Sequence, residues 1–340
     1  MDFFKNIREK NRAVAAVAAW QKTIWFPAVY AVLGVASCSF GMAAYIPVYY
    51  IFMLLTVFAA LFCEDSKVLL APLLISYFAV GGDGILNYGQ AITDVSLFFE
   101  PAGLVNMYIV GSVMAAAILF RLIADGTIAA VFRRRGLLTW GFLALAAAML
   151  LNGIFSAAWE PLDLAWGLFM AVGLLLAYFI VPAMSDKTEN IVGYLLRVCL
   201  IVGLMICAEE WILMGRLAAD GMLLELDEAG KWTGGFVRDY QVLGWGVSTY
   251  AAGMLAILIA PTMALAYSNR RGVWYYLAAV VMFLTIILLN ARTAMLMGGI
   301  ILLACMIICC FGTNRKQNRI VFVAIAAAAL VCVAGVWAVM

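Results

Sequence analysis

The chain has 340 residues, of which 67% are apolar and 12% are charged, and its formal net charge is +2. This composition excludes a soluble globular domain, and it predicts a membrane protein with several spans. The near-balanced charge gives no support for nucleic-acid binding. Histidine is absent, and the eight cysteines lie in or beside apolar runs. We therefore predict no metal site, no cofactor and no disulfide framework.

Hydropathy over windows of about 20 residues predicts an all-α fold, a polytopic transmembrane helix bundle with about eleven spans. A leader over residues 1–23 precedes a single transmembrane domain over residues 24–340. The short links near residues 41 and 290 leave open how their neighbouring spans divide. The predicted spans are 24–40, 43–63, 67–82, 104–124, 137–156, 163–183, 191–214, 245–267, 273–289, 292–311 and 320–340.

The leader is basic and amphipathic. Its charges extend to position 12 and no sustained apolar stretch precedes Lys22, which argues against a cleaved signal peptide. Aromatic and aliphatic residues interleaved with these charges favour an interfacial helix, with a disordered leader as the alternative. Because basic residues mark the cytoplasmic side, the leader places the N-terminus in the cytoplasm. Its basic residues are Lys5, Arg8, Lys10, Arg12 and Lys22.

Two outer loops, 83–103 and 215–244, follow from this orientation. The first has no Lys or Arg and carries Phe98 and Phe99, which we expect at the lipid headgroups. In the second, an amphipathic stretch over 217–228 predicts a short helix lying on the membrane. The residues after it include Trp232 and Tyr240, which could stack on a sugar ring or serve only as interfacial anchors.

Arg238 and Arg292 lie at the mouths of apolar helices on the outer face, where basic residues are rare. A guanidinium offers a planar fork of donors matched to phosphate oxygens, so the two predict a site for a lipid-linked pyrophosphate. Glu209 and Glu210 end a nearby span. They could pair with these arginines, act as a general base or form a solvated helix end.

The stretch from residue 234 to residue 311 resembles the O-antigen ligase and polymerase family. The resemblance rests on Arg238 in an outer loop, a glycine-led span, the basic turn 268–272, another span, and the motif Leu288-Leu289-Asn290-Ala291-Arg292-Thr293-Ala294. It implies a metal-independent glycosyltransferase in the bacterial cytoplasmic (inner) membrane. In this family the corresponding arginines hold the pyrophosphate of an undecaprenyl-diphosphate-linked glycan.

The residues themselves and this resemblance together give the candidate site residues. Arg238, Arg292, Glu209 and Glu210 are the catalytic candidates, and Trp232, Tyr240 and Asn290 are the substrate-binding candidates. An acceptor hydroxyl would attack the anomeric carbon of the donor sugar, and undecaprenyl diphosphate would leave. The implied partners are the undecaprenyl-diphosphate-linked oligosaccharide, membrane lipid, and a flippase and a chain-length regulator of a polysaccharide pathway.

Several alternatives stay open. The lack of histidine favours a polymerase over a ligase that acts on a lipid or cell-wall acceptor. A transporter or flippase would instead line a pathway with Arg121, Arg197, Glu209 and Glu210. If the protein is not a transporter, we expect the Arg197 side chain to extend to the cytoplasmic boundary of the membrane. A non-catalytic scaffold is a third class. Because the apolar run reaches Met340, we expect a C-terminally truncated chain that is inactive without a further outer loop.

Overall fold

The computed structural model describes most of the chain up to Gly312. The described residues are 2–40, 42–79, 101–133, 139–155, 167, 168, 171, 173, 175–185, 188–219, 221, 224–236, 248–269, 272–312, 319, 320, 323 and 324. Within them the fold is almost entirely helical, as predicted. The helices are α1 Asp2–Lys10, α2 Arg12–Gln21, α3 Trp25–Phe40, α4 Met42–Phe62, α5 Leu70–Ala79, α6 Pro101–Ala124, α7 Thr127–Arg133, α8 Thr139–Ile154, α9 Val181–Ser185, α10 Ile191–Ala219, α11 Ser248–Ser268, α12 Val273–Leu288 and α13 Arg292–Gly312.

Three described helical segments are long and apolar enough to cross a membrane: Ile191–Gly215, Ala251–Ser268 and Arg292–Gly312. They indicate a membrane protein. Six shorter apolar helices of 10–17 residues also correspond to predicted spans or parts of them. The prediction missed α7, and it placed residues 101–103 in a loop although they begin α6.

The chain forms two compact units. The first comprises residues 1–26, 49–70 and 97–194, and the second comprises residues 27–48, 71–96 and 195–340. The single transmembrane domain over 24–340 stays a prediction.

In the first unit, polar contacts secure the helix ends. Arg8 Nη1 donates to the carbonyl oxygens of Phe62 at 3.3 Å and Cys63 at 3.0 Å, just where α4 ends. Cations are favourable at a helix C-terminus, where carbonyl groups lack intrahelical partners. Tyr50 Oη hydrogen bonds to Asn106 Oδ1 at 2.8 Å and joins α4 to α6. The leader is thus fixed to the end of α4.

In the second unit, α11 packs along both α12 and α13. Glycine permits the close approach: a Cβ at Gly298 would lie 3.1 Å from Ile286 Cδ1 and 3.6 Å from Ala256 Cβ. Small residues at such crossings favour helix association in a membrane, where contacts rather than the hydrophobic effect stabilise packing. Thr262 and Thr285 are buried, and each donates to a carbonyl oxygen one turn earlier, so their hydroxyls add no unpaired polar group.

The segment after α10 differs from its prediction. The helix ends at Ala219, and strands β1 Leu224–Leu226 and β2 Trp232–Phe236 then pair antiparallel. Asp227 Oδ1 accepts hydrogen bonds from the amides of Ala229 and Lys231, and Gly230 adopts a φ of 75°. This turn chemistry closes a hairpin, so residues 224–228 do not form part of the predicted membrane-surface helix.

Candidate functional site

A groove of about 680 Å³ lies between α11 and α13 in the second unit. Polar residues and the start of α13 form one end of it, while aliphatic side chains line the other. Its lining comprises Thr249, Gly253, Ala256, Ile257, Ala291, Arg292, Thr293, Ala294, Met297 and Ile301. Such a division suits an amphiphile with a polar head and an apolar tail.

Arg292 dominates the polar end. It is the first residue of the 21-residue helix α13, and its side chain is exposed. Among the residues that the structure describes, it makes no hydrogen bond or ion pair. The first amides of a helix also lack intrahelical partners and carry partial positive charge. Arg292 and the helix start can therefore both contribute donors to one anionic group.

The apolar end is formed by Ile257 of α11 and by Met297 and Ile301 of α13. Nine residues separate Arg292 from Ile301, which corresponds to about 14 Å along the helix axis. Gly253 lies between the two ends, and a Cβ built there would meet no atom within 4 Å. The groove therefore has free space at its middle, where a larger side chain would fill it.

Asn290 positions the start of α13. It occupies the turn between α12 and α13 with a φ of 50°, in the left-handed region. Asparagine tolerates that region better than most residues, so it suits the reversal that precedes Arg292. Asn290 is half-buried, and it is not among the residues that line the groove. Its observed role is in the turn, and its substrate-binding role stays a prediction.

Glu209 and Glu210 are buried within α10, with 2% and 0% of their surfaces exposed. Neither forms an ion pair with Arg292 within the described part of the chain. Neither carboxylate oxygen of Glu210 has a hydrogen-bond partner among the described residues. The solvated helix end proposed as one alternative is therefore wrong for both side chains.

Trp211, the residue after these acids, connects α10 to the bundle formed by α11, α12 and α13. Trp211 Nε1 donates to Thr285 Oγ1 at 2.8 Å. A Cβ at Gly203 would clash with the end of the Met282 side chain, so α10 and α12 lie close there as well. Through these contacts, the helix that carries the two glutamates packs directly on the bundle that forms the groove.

The remaining predicted site residues are only partly described. Arg238 and Tyr240 lie outside the described residues, and Trp232 is described only as a backbone position in β2. Of the arginines in the transporter hypothesis, Arg197 is exposed. Arg121 is buried, and its Nε lies 2.8 Å from Asp125 Oδ2 in the first unit.

The sequence interpretation overlooked the α11 side of the groove. Thr249, Gly253 and Ala256 follow one another at intervals of four and three residues, so they lie on one helix face. That run of small and polar residues in an otherwise apolar span was a usable signal of close approach or of a cavity. The contribution of Trp211 to helix packing had no comparable signal, because its partner Thr285 is 74 residues away.

Fold and groove together define a helical membrane protein with an amphiphilic groove beside an arginine. Comparisons with protein-family models, with curated proteins and with solved structures found no match.

Proposed function

We propose that the protein is a glycosyltransferase of the O-antigen ligase/polymerase type in a bacterial cytoplasmic membrane. It would have about eleven spans and a cytoplasmic N-terminus, and it would transfer or polymerise undecaprenyl-diphosphate-linked repeat units on the outer side. The observation that carries the proposal is the exposed Arg292 at the polar end of the groove, with no partner among the described residues. A free guanidinium can bind phosphate oxygens in a bidentate manner.

The groove matches both parts of such a substrate. Arg292, Thr249 and Thr293 offer donors for a pyrophosphate. Ile257, Met297 and Ile301 offer an apolar wall for the first part of a polyprenyl chain. An acceptor hydroxyl oxygen would form a bond to the anomeric carbon while the bond from that carbon to the pyrophosphate oxygen breaks. Fixed positive charge at Arg292 would stabilise the departing pyrophosphate.

The proton of the acceptor hydroxyl needs a base, and Glu209 and Glu210 stay the candidates. Both are buried in α10, which packs on the bundle through Trp211 and Thr285. Trp232 from β2, together with Arg238 and Tyr240 further along the chain, would complete the site. A buried acid in a span also fits a transporter or flippase, since ionisable residues in spans commonly mark substrate or proton pathways.

Substitution of Arg292 tests the proposal. In membranes that contain the full-length protein and a lipid-linked repeat unit, Arg292→Ala should lower transfer at least about 100-fold, as expected when a charge-stabilising donor is lost. Arg292→Lys should retain part of the activity, because lysine keeps the charge but not the planar fork. Export of the precursor should not change. Loss of export in Arg292→Ala would instead favour the transporter or flippase.

A matched control is Arg197→Ala, since Arg197 is also an exposed arginine on a span of the second unit but does not line the groove. We expect its transfer rate to stay within about twofold of the wild type. If Arg292→Ala and Arg197→Ala lost glycan transfer equally, the position of Arg292 at the groove would not matter for transfer. This result would refute the proposed role of Arg292.

A further inference from the structure

A second pocket, of about 480 Å³, lies in the leader of the first unit at the bend between α1 and α2. It is lined by Phe3, Asn6, Ile7, Lys10, Asn11 and Arg12. Asn11 makes the bend: its backbone is extended, and its side-chain oxygen caps α2 by accepting from the amides of Ala13 and Val14. Because the cap fixes the bend, the basic residues on its two sides, Lys10 and Arg12, are held at one pocket.

The cations of this pocket differ from the others in the leader. Arg8 donates to the carbonyl oxygens at the end of α4, Lys22 pairs with Glu64, and Lys5 lies 4.0 Å from Glu9. Lys10 and Arg12 are exposed, and neither has a hydrogen bond or ion pair within the described part of the chain. Two free cations beside the uncommitted amide of Asn6 form a donor set for an anion.

Aromatic residues flank the pocket. The Phe4 ring contacts the Phe62 ring edge-on at the end of α4, with 5.6 Å between their centroids. Phe3 lines the pocket and is 70% exposed, and Trp25, at the start of α3, is 67% exposed. Exposed aromatic residues beside basic ones are typical of the interfacial zone of a bilayer.

We propose that this pocket binds the phosphate headgroup of an anionic membrane lipid, with Lys10, Arg12 and Asn6 as donors and with Phe3 and Ile7 against the first part of the acyl chains. The amphiphilic lining favours a lipid over a free anion, because a free anion would gain no binding energy from contact with the apolar residues. The site is independent of the groove at Arg292, and it would anchor the leader to lipids of negative charge.

The test uses the full-length protein in neutral detergent micelles, titrated with phosphatidylglycerol, while native mass spectrometry counts the bound lipid. Lys10→Gln and Arg12→Gln should each weaken phosphatidylglycerol binding about fivefold, the typical contribution of one basic residue near anionic lipid. Phosphatidylcholine should bind more weakly than phosphatidylglycerol to the wild type, and the variants should not change its binding. Inorganic phosphate at the same concentration should not displace the lipid.

Lys5→Gln is the matched control, because it removes one exposed leader cation that does not line the pocket. Its affinity for phosphatidylglycerol should change less than about twofold. The proposal is overturned if Lys5→Gln weakens binding as much as Lys10→Gln, because the leader would then act as a diffuse charge. Equal binding of the two lipids would also overturn it, and displacement by inorganic phosphate would identify a site for the free ion instead.

Discussion

Apart from Lys10 and Arg12 at the pocket of the leader, the charged side chains compared here have partners in the first compact unit and none among the described residues in the second. In the first, Arg8 caps the end of α4, Arg121 pairs with Asp125, and Lys67 contacts Asp65 at 2.8 Å and the carbonyl oxygen of Glu189 at 2.7 Å. In the second, the exposed Arg292 and the buried Glu210 have no partner among the described residues. Charges that are satisfied internally stabilise a fold, whereas charges held without partners are available to a ligand or to chemistry.

The contrast between Arg121 and Arg292 predicts that alanine substitution changes stability much more at Arg121 than at Arg292. Arg121→Ala removes the guanidinium whose Nε lies 2.8 Å from Asp125 Oδ2, at a site where Arg121 is only 6% exposed. Breaking such a pair from one side should lower the free energy of unfolding by about 3 kcal/mol. Arg292→Ala removes no contact with a described residue and should change it by less than about 0.5 kcal/mol.

Thermal unfolding in detergent measures the stability of both arginine variants, and the double variant should show additive losses because the two arginines belong to different compact units. If Arg292→Ala were as destabilising as Arg121→Ala, Arg292 would be a structural residue. The distinction between satisfied and available charges would then fail.

Two glycines sharpen the comparison inside the second unit. Gly298→Leu would drive its side chain into Ile286 and Ala256 and should destabilise the protein by about 1–3 kcal/mol. Gly253→Leu enters open space, so the stability should change little while the groove between α11 and α13 fills. We expect this variant to unfold like the wild type and to lose glycan transfer. A stable Gly253→Leu variant with normal transfer would place the substrate elsewhere.

Glu210 tests whether a buried ionisable group is kept for function at the expense of stability. An unsatisfied buried polar group costs about 1–3 kcal/mol, so Glu210→Met, which fills a similar volume, should stabilise the protein by about 1–2 kcal/mol. The exposed Glu189 gives the control, and Glu189→Met should stay within about 0.5 kcal/mol. Unfolding in detergent and glycan transfer are measured on the same samples.

The Glu210→Met result has a clear functional meaning in each direction. A variant that is more stable and inactive would make Glu210 a catalytic or transport residue that the fold tolerates for its function. A variant that keeps full transfer would exclude Glu210 as the base and would leave Glu209 as the remaining candidate.

Apolar runs and the charged residues between them were enough to predict most of the described helices, because membrane spans require long apolar segments and their boundaries carry polar residues. The break between α12 and α13 was also predictable, and the link containing Asn290 marks it. Arg292 was selected from the same motif, and its role in binding stays a prediction. The hairpin after α10 could have been found from the alternation of Leu224, Glu225 and Leu226 before a turn with Asp227 and Gly230.

What the sequence could not supply were relations between distant residues. The burial of Glu210 depends on how α10 packs, and the hydrogen bond from Trp211 to Thr285 joins residues that are 74 positions apart. Arg121 looked like a pathway residue from its position in a span, yet Asp125 one turn later satisfies it. That pair lies at a spacing of four residues, so the sequence carried the signal, and the interpretation as a pathway overlooked it.

The smallest effect is expected at the Lys22–Glu64 pair, which joins the leader to the residue that follows Cys63. The hydrogen bond from Lys22 lowers the pKa of Glu64 below its ordinary value of 4.5. A lowered pKa in the folded state means that the stabilisation is present above pH 4.5 and disappears as the pH falls through the lowered value. Since both side chains are about 40% exposed, the pair should contribute at most about 1 kcal/mol.

Glu64→Gln should therefore unfold slightly more easily than the wild type at pH 6, and the difference should shrink as the pH falls through the lowered pKa of Glu64 and shrink in high salt. The control is Glu9→Gln, which removes an exposed partner 4.0 Å from Lys5 and should show a smaller difference at pH 6. A difference for Glu64→Gln that stays constant as the pH falls would show that the carboxylate charge is not what holds the leader. In that case Arg8 and the Phe4–Phe62 contact would fix the leader to α4 without help from Glu64.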